Sequence, residues 1–361
     1  MSLAKIQNSL KSKEIDALFV TNFYNILYLT EYIAGRPEER EVWTLVTNKN
    51  LYVFVDGRNI EDAKKYKKSF TPRLISQDKR LSDHLIDICK KEKIQQLGFE
   101  SQDLKVAELE HLQEKLKGIK LIETEKLVEN LREIKSAEEI QKLKKAATVA
   151  DQCLEEIIKT INVGQTEGEI AYRIEDWFRQ KGYAPSFAPI VAFGANAASP
   201  HHNSKKTTVK LTKNTLILID YGVRVDDYCS DTTRMFFYGK PPTEIQKTYD
   251  SLRKAQSATI DSMQNLKNTK DIDVYCRARM KECVLPDFAH STGHGVGLEV
   301  HEGPHISSNS KDRINAGQVF TIEPGVYIPS KYGMRIEDMV YVNKSGDIGV
   351  LTQFPKNLIC L

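Results

Sequence analysis

The sequence has no long apolar run. None of its 361 residues falls in a stretch approaching the roughly 18 apolar residues of a membrane-spanning helix. The opening segment, MSLAKIQNSLKSKE, has no apolar core of signal-peptide length and no cleavage site. Cysteine is sparse. Cys89, Cys153, Cys229, Cys276, Cys283 and Cys360 are scattered without CxxC spacing. That argues against a disulfide frame and predicts small buried residues in a reducing compartment. An excess of one charge is also lacking. Fifty-two Lys and Arg stand against 49 Asp and Glu, for a net charge of +3. Neither half of the chain is a basic surface, so no nucleic-acid or membrane partner is expected. No repeat and no low-complexity segment stands out. A cytoplasmic protein is the expectation. Histidine is scarce as well, but unevenly so: of eight, six fall between positions 201 and 305.

The length predicts two domains, because single cores stop growing at about 250–300 residues. Residues 1–134 read as an α/β domain with a mixed sheet. A short helix fits 5–13. Runs rich in strand formers follow at 17–21, 26–30, 43–47 and 51–55, the last two joined as a hairpin through Asn48 and Asn50. Helices fit 60–68, 80–93 and 103–117, alternating with strands at 72–75, 95–99 and 119–122. Nothing there clusters like a catalytic site. The boundary is expected near 123–136, where Ser136-Ala-Glu-Glu139 forms a capping box. Ile140, Leu143, Ala147, Ala150, Leu154, Ile157 and Ile161 then recur at helical spacing, predicting a long amphipathic helix that ends before Gly164. Thr166-Glu-Gly-Glu169 opens a second helix. Strands are expected at 189–194, 215–221 and 228–237, helices at 243–265 and 271–283, and strands near 317–322, 325–328 and 334–342.

The uneven histidines centre on His290 to Glu302, HSTGHGVGLEVHE. His294 sits among Gly293, Gly295 and Gly297, and glycine permits the close backbone approach a tightly bound group requires. Carboxylates end or open the neighbouring strand-like runs. Asp220 closes an apolar run from Leu216. Asp231 lies in SDTTR eleven residues on, and a turn at 223–227 would let the two strands pair. Glu323 closes another apolar run, and Glu337 lies in GMRIED. Alternation puts Arg335 and Glu337 on one face and Ile336 and Asp338 on the other, which favours Glu337 as the site residue. Taken singly, each acid could be a strand-end cap or half of a salt bridge. Four together with a glycine-flanked histidine fit a metal site better, since an unpaired buried carboxylate is costly. A four-carboxylate, one-histidine donor set suits two divalent ions and not a closed structural zinc. Paired ions lower the pKa of a shared water and polarise a carbonyl or phosphoryl oxygen, so the chemistry read from the residues is hydrolysis.

These motifs resemble those of the pita-bread metallopeptidases: methionine aminopeptidase, aminopeptidase P and prolidase. The likeness rests on IDYG at 219–222, SDTTR at 230–234, HSTGHGVGLEVHE at 290–302, TIEPGVY at 321–327 and GMRIED at 333–338, in that order. Residues 1–134 resemble the creatinase-type N-terminal domain, which the Xaa-Pro peptidases carry and methionine aminopeptidases lack. The resemblance is strongest to short bacterial Xaa-Pro dipeptidases and aminopeptidases. It implies an α/β (α+β) fold, with a creatinase-type domain over 1–134 and a pita-bread catalytic domain over 135–361. It also implies that Asp220, Asp231, His294, Glu323 and Glu337 hold two divalent ions, manganese favoured, cobalt or zinc possible. Glu323 would shuttle the proton, and His301 would lie beside the scissile carbonyl. His201 would contact the substrate from the other side. His290 would help form a proline pocket, and Arg335 would orient Asp231 or contact substrate. Xaa-Pro dipeptides or short peptides with proline second are the implied substrates, and a homodimer the implied assembly. Two features depart from the pattern. The loop before Asp220 is longer and His202 adjoins His201, which leaves either histidine eligible. Asp227 stands where glycine is common, as expected turn chemistry. A related C–N hydrolase and an inactive binding module on the same fold are the alternatives. Creatinase lacks the metal ligands, whereas this chain keeps all five.

Overall fold

A computed structural model describes residues 2–361. The chain divides into two compact units, Met1–Arg132 and Glu133–Leu361.

The first unit is a six-stranded mixed sheet in the order Thr71–Leu74, Leu51–Val55, Val42–Thr47, Ala17–Val20, Gln96–Glu100 and Lys120–Thr124. The centre is antiparallel and both flanks are parallel. Alternation splits the strand Ala17–Val20 between two cores. Leu18 and Val20 pack with Ile6, Leu10, Ile26 and Leu29 on one face, and Ala17 and Phe19 with Leu85, Ile88 and Leu112 on the other. One expectation fails here. Residues 26–30 are not a strand but part of the helix Phe23–Thr30. Asn22 caps it, its Oδ1 accepting the amides of Tyr24 and Asn25, both at 3.0 Å. The left-handed Glu31 closes it, donating its N–H to the Leu27 carbonyl. The helix also gives the polar Asn25 a place, since its amide donates to Glu100 and Glu129, each at 2.6 Å.

In the second unit, the long helix Ala137–Ile158 starts at Ser136. The Ser136 side chain accepts the Glu139 amide at 3.2 Å while Glu139 accepts the Ser136 amide at 2.8 Å. Thr166 opens Glu167–Gln180 in the same way. The strand Thr215–Tyr221 lies between two apolar layers. Ile217, Ile219 and Tyr221 face Leu154, Ile170, Ile174 and Phe178. Leu216 and Leu218 face Tyr249, Leu252 and Met280, from the helices Thr243–Ser262 and Thr269–Glu282. The second layer leaves room on its side for Asp220, which shares the period-two face of Leu216 and Leu218. The strand pairs antiparallel with Thr232–Tyr238 on one edge and Ile190–Phe193 on the other. A second sheet runs Glu302–Ile306, Gly293–Gly295, Val319–Ile322, Asp338–Val342 and Ile348–Val350. Helices pack on sheets in both units, an α/β architecture.

Two strands read from sequence as continuous are broken. The run at 228–237 divides into Tyr228–Cys229 and Thr232–Tyr238, and that at 334–342 into Tyr332–Arg335 and Asp338–Val342. Each break carries one of the acids, Asp231 and Glu337. Between the strands Val223–Val225 and Tyr228–Cys229, Asp226 (φ 49°) and Asp227 (φ 70°) form a two-residue turn. Both left-handed residues match a type I′ hairpin, a conformation Asp tolerates.

Candidate active site

A cavity of about 490 Å³ opens in the second unit. All nine residues singled out from the sequence line it: His201, Asp220, Asp231, His290, His294, His301, Glu323, Arg335 and Glu337. Phe187, Ile190 and Pro200 form an apolar part of its wall.

The acids converge from four directions. Asp220 is the next-to-last residue of the central strand, opposite Thr233 in the antiparallel register. Asp231 and Glu337 sit at the two strand breaks, and Glu323 follows Val319–Ile322. Donor atoms of Asp220, Asp231 and Glu337 lie within 4.8 Å of one another, as do those of His294, Glu323 and Glu337. Glu337 therefore belongs to both groups. A third group, Asp231, His294 and His301, meets the same limit and brings His301 within reach of the ligand set.

The surroundings orient these side chains. The Thr233 hydroxyl donates to Glu337 Oε2 at 2.8 Å and accepts from Arg335 Nε at 3.0 Å. Arg335 also pairs with Asp220 Oδ2 at 2.6 Å. Asp220, and not Asp231, is thus the acid that Arg335 orients. The other Asp220 oxygen, Oδ1, is buried with no hydrogen-bond partner. His294 Nδ1 lies 3.1 Å from the Gly295 carbonyl, which can only accept, so Nδ1 carries the hydrogen. The free electron pair is then on Nε2, 3.5 Å from Asp231 and 3.4 Å from Glu323. Only glycine fits on either side of His294. A Cβ on Gly293 would stand 1.9 Å from the Thr321 carbonyl oxygen, and one on Gly295 the same distance from that of Gly303.

Burial, then mutual repulsion, dominates the electrostatics. Asp231 and Glu337 are held well above the ordinary carboxylate range, first by burial and then by the neighbouring acids. Glu323 is raised too, again first by burial, with His290 and Arg335 opposing. Burial works against the Arg335 charge, but Tyr327 and the surrounding acids overcome it and raise its pKa. Burial lowers His294, keeping the ring neutral. A set of acids that raise one another's proton affinity, around an imidazole with its lone pair turned inward and an orphaned carboxylate oxygen, is matched to divalent cations.

Beyond this set, His290 donates through Nδ1 to the Ser291 carbonyl at 2.8 Å and accepts at Nε2 from the Tyr327 hydroxyl at 2.9 Å. Arg335 donates to that hydroxyl as well, at 3.1 Å. The His301 ring stands 4.3 Å from that of His294, nearly perpendicular. It keeps an exposed side, yet its partial burial and then His294 push its pKa down to about 4. Of the two adjacent histidines, His201 lines the cavity and His202 turns away to Glu167, at 2.9 Å. Sequence reasoning missed Tyr327, Thr233 and Thr321. The first left a signal, since Gly325 two residues before it in the same strand allows the Tyr327 ring to lie across the backbone.

Comparison with known proteins agrees with this geometry. Residues 141–344 match Metallopeptidase family M24, and residues 3–134 match the Creatinase/Prolidase N-terminal domain. An uncharacterized peptidase from Staphylococcus epidermidis is 34% identical, over 98% of this chain and 99% of its own. The solved Xaa-Pro dipeptidase from Bacillus anthracis superposes with a TM-score of 0.91 at 30% identity, covering 100% of this chain and 99% of that one. An X-Pro aminopeptidase from Thermotoga maritima superposes with a TM-score of 0.87 at 26% identity, covering 98% and 100%. The match to the family spans more than half of the sequence, and relatives align along nearly all of it: the chain belongs to metallopeptidase family M24.

Proposed function

We propose that the protein hydrolyses the peptide bond before proline at a substrate's N-terminus, as a dimetal-dependent Xaa-Pro dipeptidase or aminopeptidase. The observation that carries this reading is the donor set itself: four convergent carboxylates, one neutral histidine with Nε2 turned toward two of them, and an unpartnered Asp220 oxygen. Asp220, Asp231, His294, Glu323 and Glu337 would hold two divalent ions. Oxygen-rich sites favour manganese, with cobalt or zinc as substitutes. Bound there, the ions supply an activated water and polarise the scissile carbonyl.

The chain's own groups do the rest. Glu323, adjoining His294 and braced by the Thr321 hydroxyl at 3.3 Å, takes the proton from the attacking water. It returns that proton to the departing nitrogen. Any amide nitrogen needs such a proton to leave as an amine, and the Pro nitrogen, with no hydrogen of its own, leaves as a secondary amine. His301, neutral because its pKa is low, donates to the carbonyl oxygen as charge develops. His201 contacts the substrate from the opposite wall. His290 packs at 4.9 Å from the Phe288 ring and 5.5 Å from that of Tyr327, and is suited to cover a pyrrolidine ring. Arg335 fixes Asp220 and Tyr327 at once. The activities named for the dipeptidase and aminopeptidase neighbours support proline as the second residue. The same proposal places the enzyme in the cytoplasm as a homodimer. All six cysteines are unpaired, as a reducing compartment requires, and the homodimer rests on family resemblance.

The test is hydrolysis of Xaa-Pro and Xaa-Pro-Yaa-Zaa peptides side by side, with Mn²⁺, Co²⁺ and Zn²⁺. Cleavage before proline of either class supports the reading, and the preferred class assigns dipeptidase or aminopeptidase. Protein with its metals bound that cleaves neither class would overturn it.

A further inference from the structure

The helix Glu167–Gln180 buries two carboxylates that the cavity does not use, Glu167 and Glu175. Glu167 has no exposed surface. Its Oε1 accepts the Phe193 amide N–H at 2.6 Å, and both its oxygens lie 3.0 Å from the Asn196 side-chain amide. Oε2 lies 2.9 Å from His202 Nε2. The amide groups facing Glu167 can only donate, so it is the acceptor throughout and His202 Nε2 carries the hydrogen. All three partners belong to one segment, 193–202, and that segment carries His201 into the cavity.

The segment has little regular structure of its own, only the short 3-10 turn Gly194–Ala198. It is fixed from outside. Ser204 ties its far end to Val191, accepting the Val191 amide at 2.7 Å and donating to the Val191 carbonyl at 2.9 Å. Ala197 packs against Gly333, where a Cβ would come within 1.7 Å of the Ala197 carbonyl oxygen. Arg335 reaches the Pro200 carbonyl at 3.5 Å and Lys205 pairs with Glu175 at 2.6 Å, while Glu167 holds Phe193, Asn196 and His202 together. An apolar side chain of similar volume often packs as stably as a buried charge of this kind. What the carboxylate adds is direction, through donors it can accept from in one geometry only.

We propose that Glu167 and His202 are positioning residues, a buried carboxylate–imidazole strut that sets His201 against the substrate. The inference rests on the reading of His201 as a substrate-contacting group. Successive side chains then divide the work: His201 faces the cavity, and His202 anchors the backbone that aims it.

A double-mutant cycle tests this. kcat/KM for an Xaa-Pro dipeptide, melting temperature and amide hydrogen exchange are measured for His202→Ala, His201→Ala and the double variant, all reconstituted with Mn²⁺. A misplacement of the order of 1 Å can cost about 10²-fold in rate, so His202→Ala should lose roughly 10- to 100-fold. The same change in the His201→Ala background should cost less than about 2-fold, because a strut has nothing left to aim. His202→Gln, which keeps an N–H donor, should recover much of the loss. Glu167→Gln should repeat the His202→Ala pattern. If that fully buried change prevents folding, the His202 variants decide alone. Full kcat/KM in His202→Ala, an equal loss in both backgrounds, or no loss in His201→Ala each overturn the proposal. Failure of the peptidase reading looks different, as wild-type protein that cleaves no Xaa-Pro bond. Hydrogen exchange then decides without substrate: His202→Ala must speed exchange within 193–206, and unchanged exchange there refutes the strut.

Discussion

Replacing Asp338 by Asn should destabilise the catalytic unit severely, although Asp338 does not line the active-site cavity. Its carboxylate is completely buried. It accepts from Arg234 at 2.7 Å, the Thr352 hydroxyl at 2.7 Å, Gln256 at 2.8 Å and Lys356 at 3.0 Å. Arg234 is 1% exposed and also donates to the main-chain carbonyls of Thr233, Glu337 and Phe354. Asn has nearly the shape of Asp but removes the charge and turns an N–H₂ toward two of the four donors, since Arg234 and Thr352 share one oxygen and Gln256 and Lys356 the other. Leaving one member of a buried pair uncompensated typically costs about 3–5 kcal/mol. For a unit of 150–250 residues each kcal/mol moves the melting temperature by about 2–4 °C, so the expected fall is roughly 6–20 °C. Scanning calorimetry is the assay, since it separates the transitions of two units where one optical probe would blend them. Asp226→Asn is the control. Asp226 pairs with Lys145 at a similar 2.8 Å, but both side chains are half exposed, and Asn tolerates the left-handed turn it occupies.

The effect also has a pH signature. Burial alone would raise the Asp338 pKa, but Arg234, Lys356 and the hydrogen bonds outweigh it and hold it at about 2, below its ordinary 3.8. A depressed folded pKa contributes stability above the unfolded value, and that stability is lost as pH falls through the folded one. The gap between wild type and Asp338→Asn should therefore hold steady from neutrality to about pH 4 and narrow toward pH 2. A variant that melts within about 2 °C of wild type at neutral pH would refute the reasoning.

Three further outcomes follow from the site. Asp220→Asn removes an anionic ligand and the Arg335 partner together, so metal analysis should find one ion lost and nearly all turnover gone; a kcat near wild type would show the ligand assignment to be wrong. His301→Ala should cost about 10²–10³ in kcat, as for loss of one oxyanion donor, with KM and metal content little changed; the exposed His111→Ala serves as control, and full kcat in His301→Ala removes the role given to it. Gly295→Ala must push the His294 strand off Gly303, so it should lower metal affinity measured by titration calorimetry, and an affinity equal to wild type would mean that the tight approach does not set His294.

Much of this was legible in the sequence because the chemistry is written in pairs of features. Glu337 could be separated from Asp338 by alternation alone. In the structure Glu337 lines the cavity and Asp338 pairs with Arg234, although the strand assumed for both is broken at Ile336 and Glu337. The break itself was not legible, since Ile336 and its neighbours have strand propensity, and tertiary packing bends the chain there. The helix Phe23–Thr30 was hidden in the same way: Ile26, Leu27 and Leu29 favour no one period over so short a run, and the decisive signal was Asn22, one capping residue. Glu167 escaped notice because its partners Phe193, Asn196 and His202 lie far along the chain. Arg335 was expected to orient Asp231 or contact substrate, and the acid it grips is Asp220. Register decides this, for Thr233 lies opposite Asp220 and itself accepts from Arg335.

The central claim is that the acid–histidine cavity performs metal-dependent cleavage before proline, and its most direct measurement is release of free proline from Ala-Pro. Chelated, dialysed protein should release none. The same protein reloaded with Mn²⁺ should release proline and leave Ala-Ala uncleaved, with two ions bound per chain. Undiminished proline release from protein shown by metal analysis to hold no divalent ion would contradict the account, as would reloaded protein that leaves both Ala-Pro and a longer peptide with proline second intact.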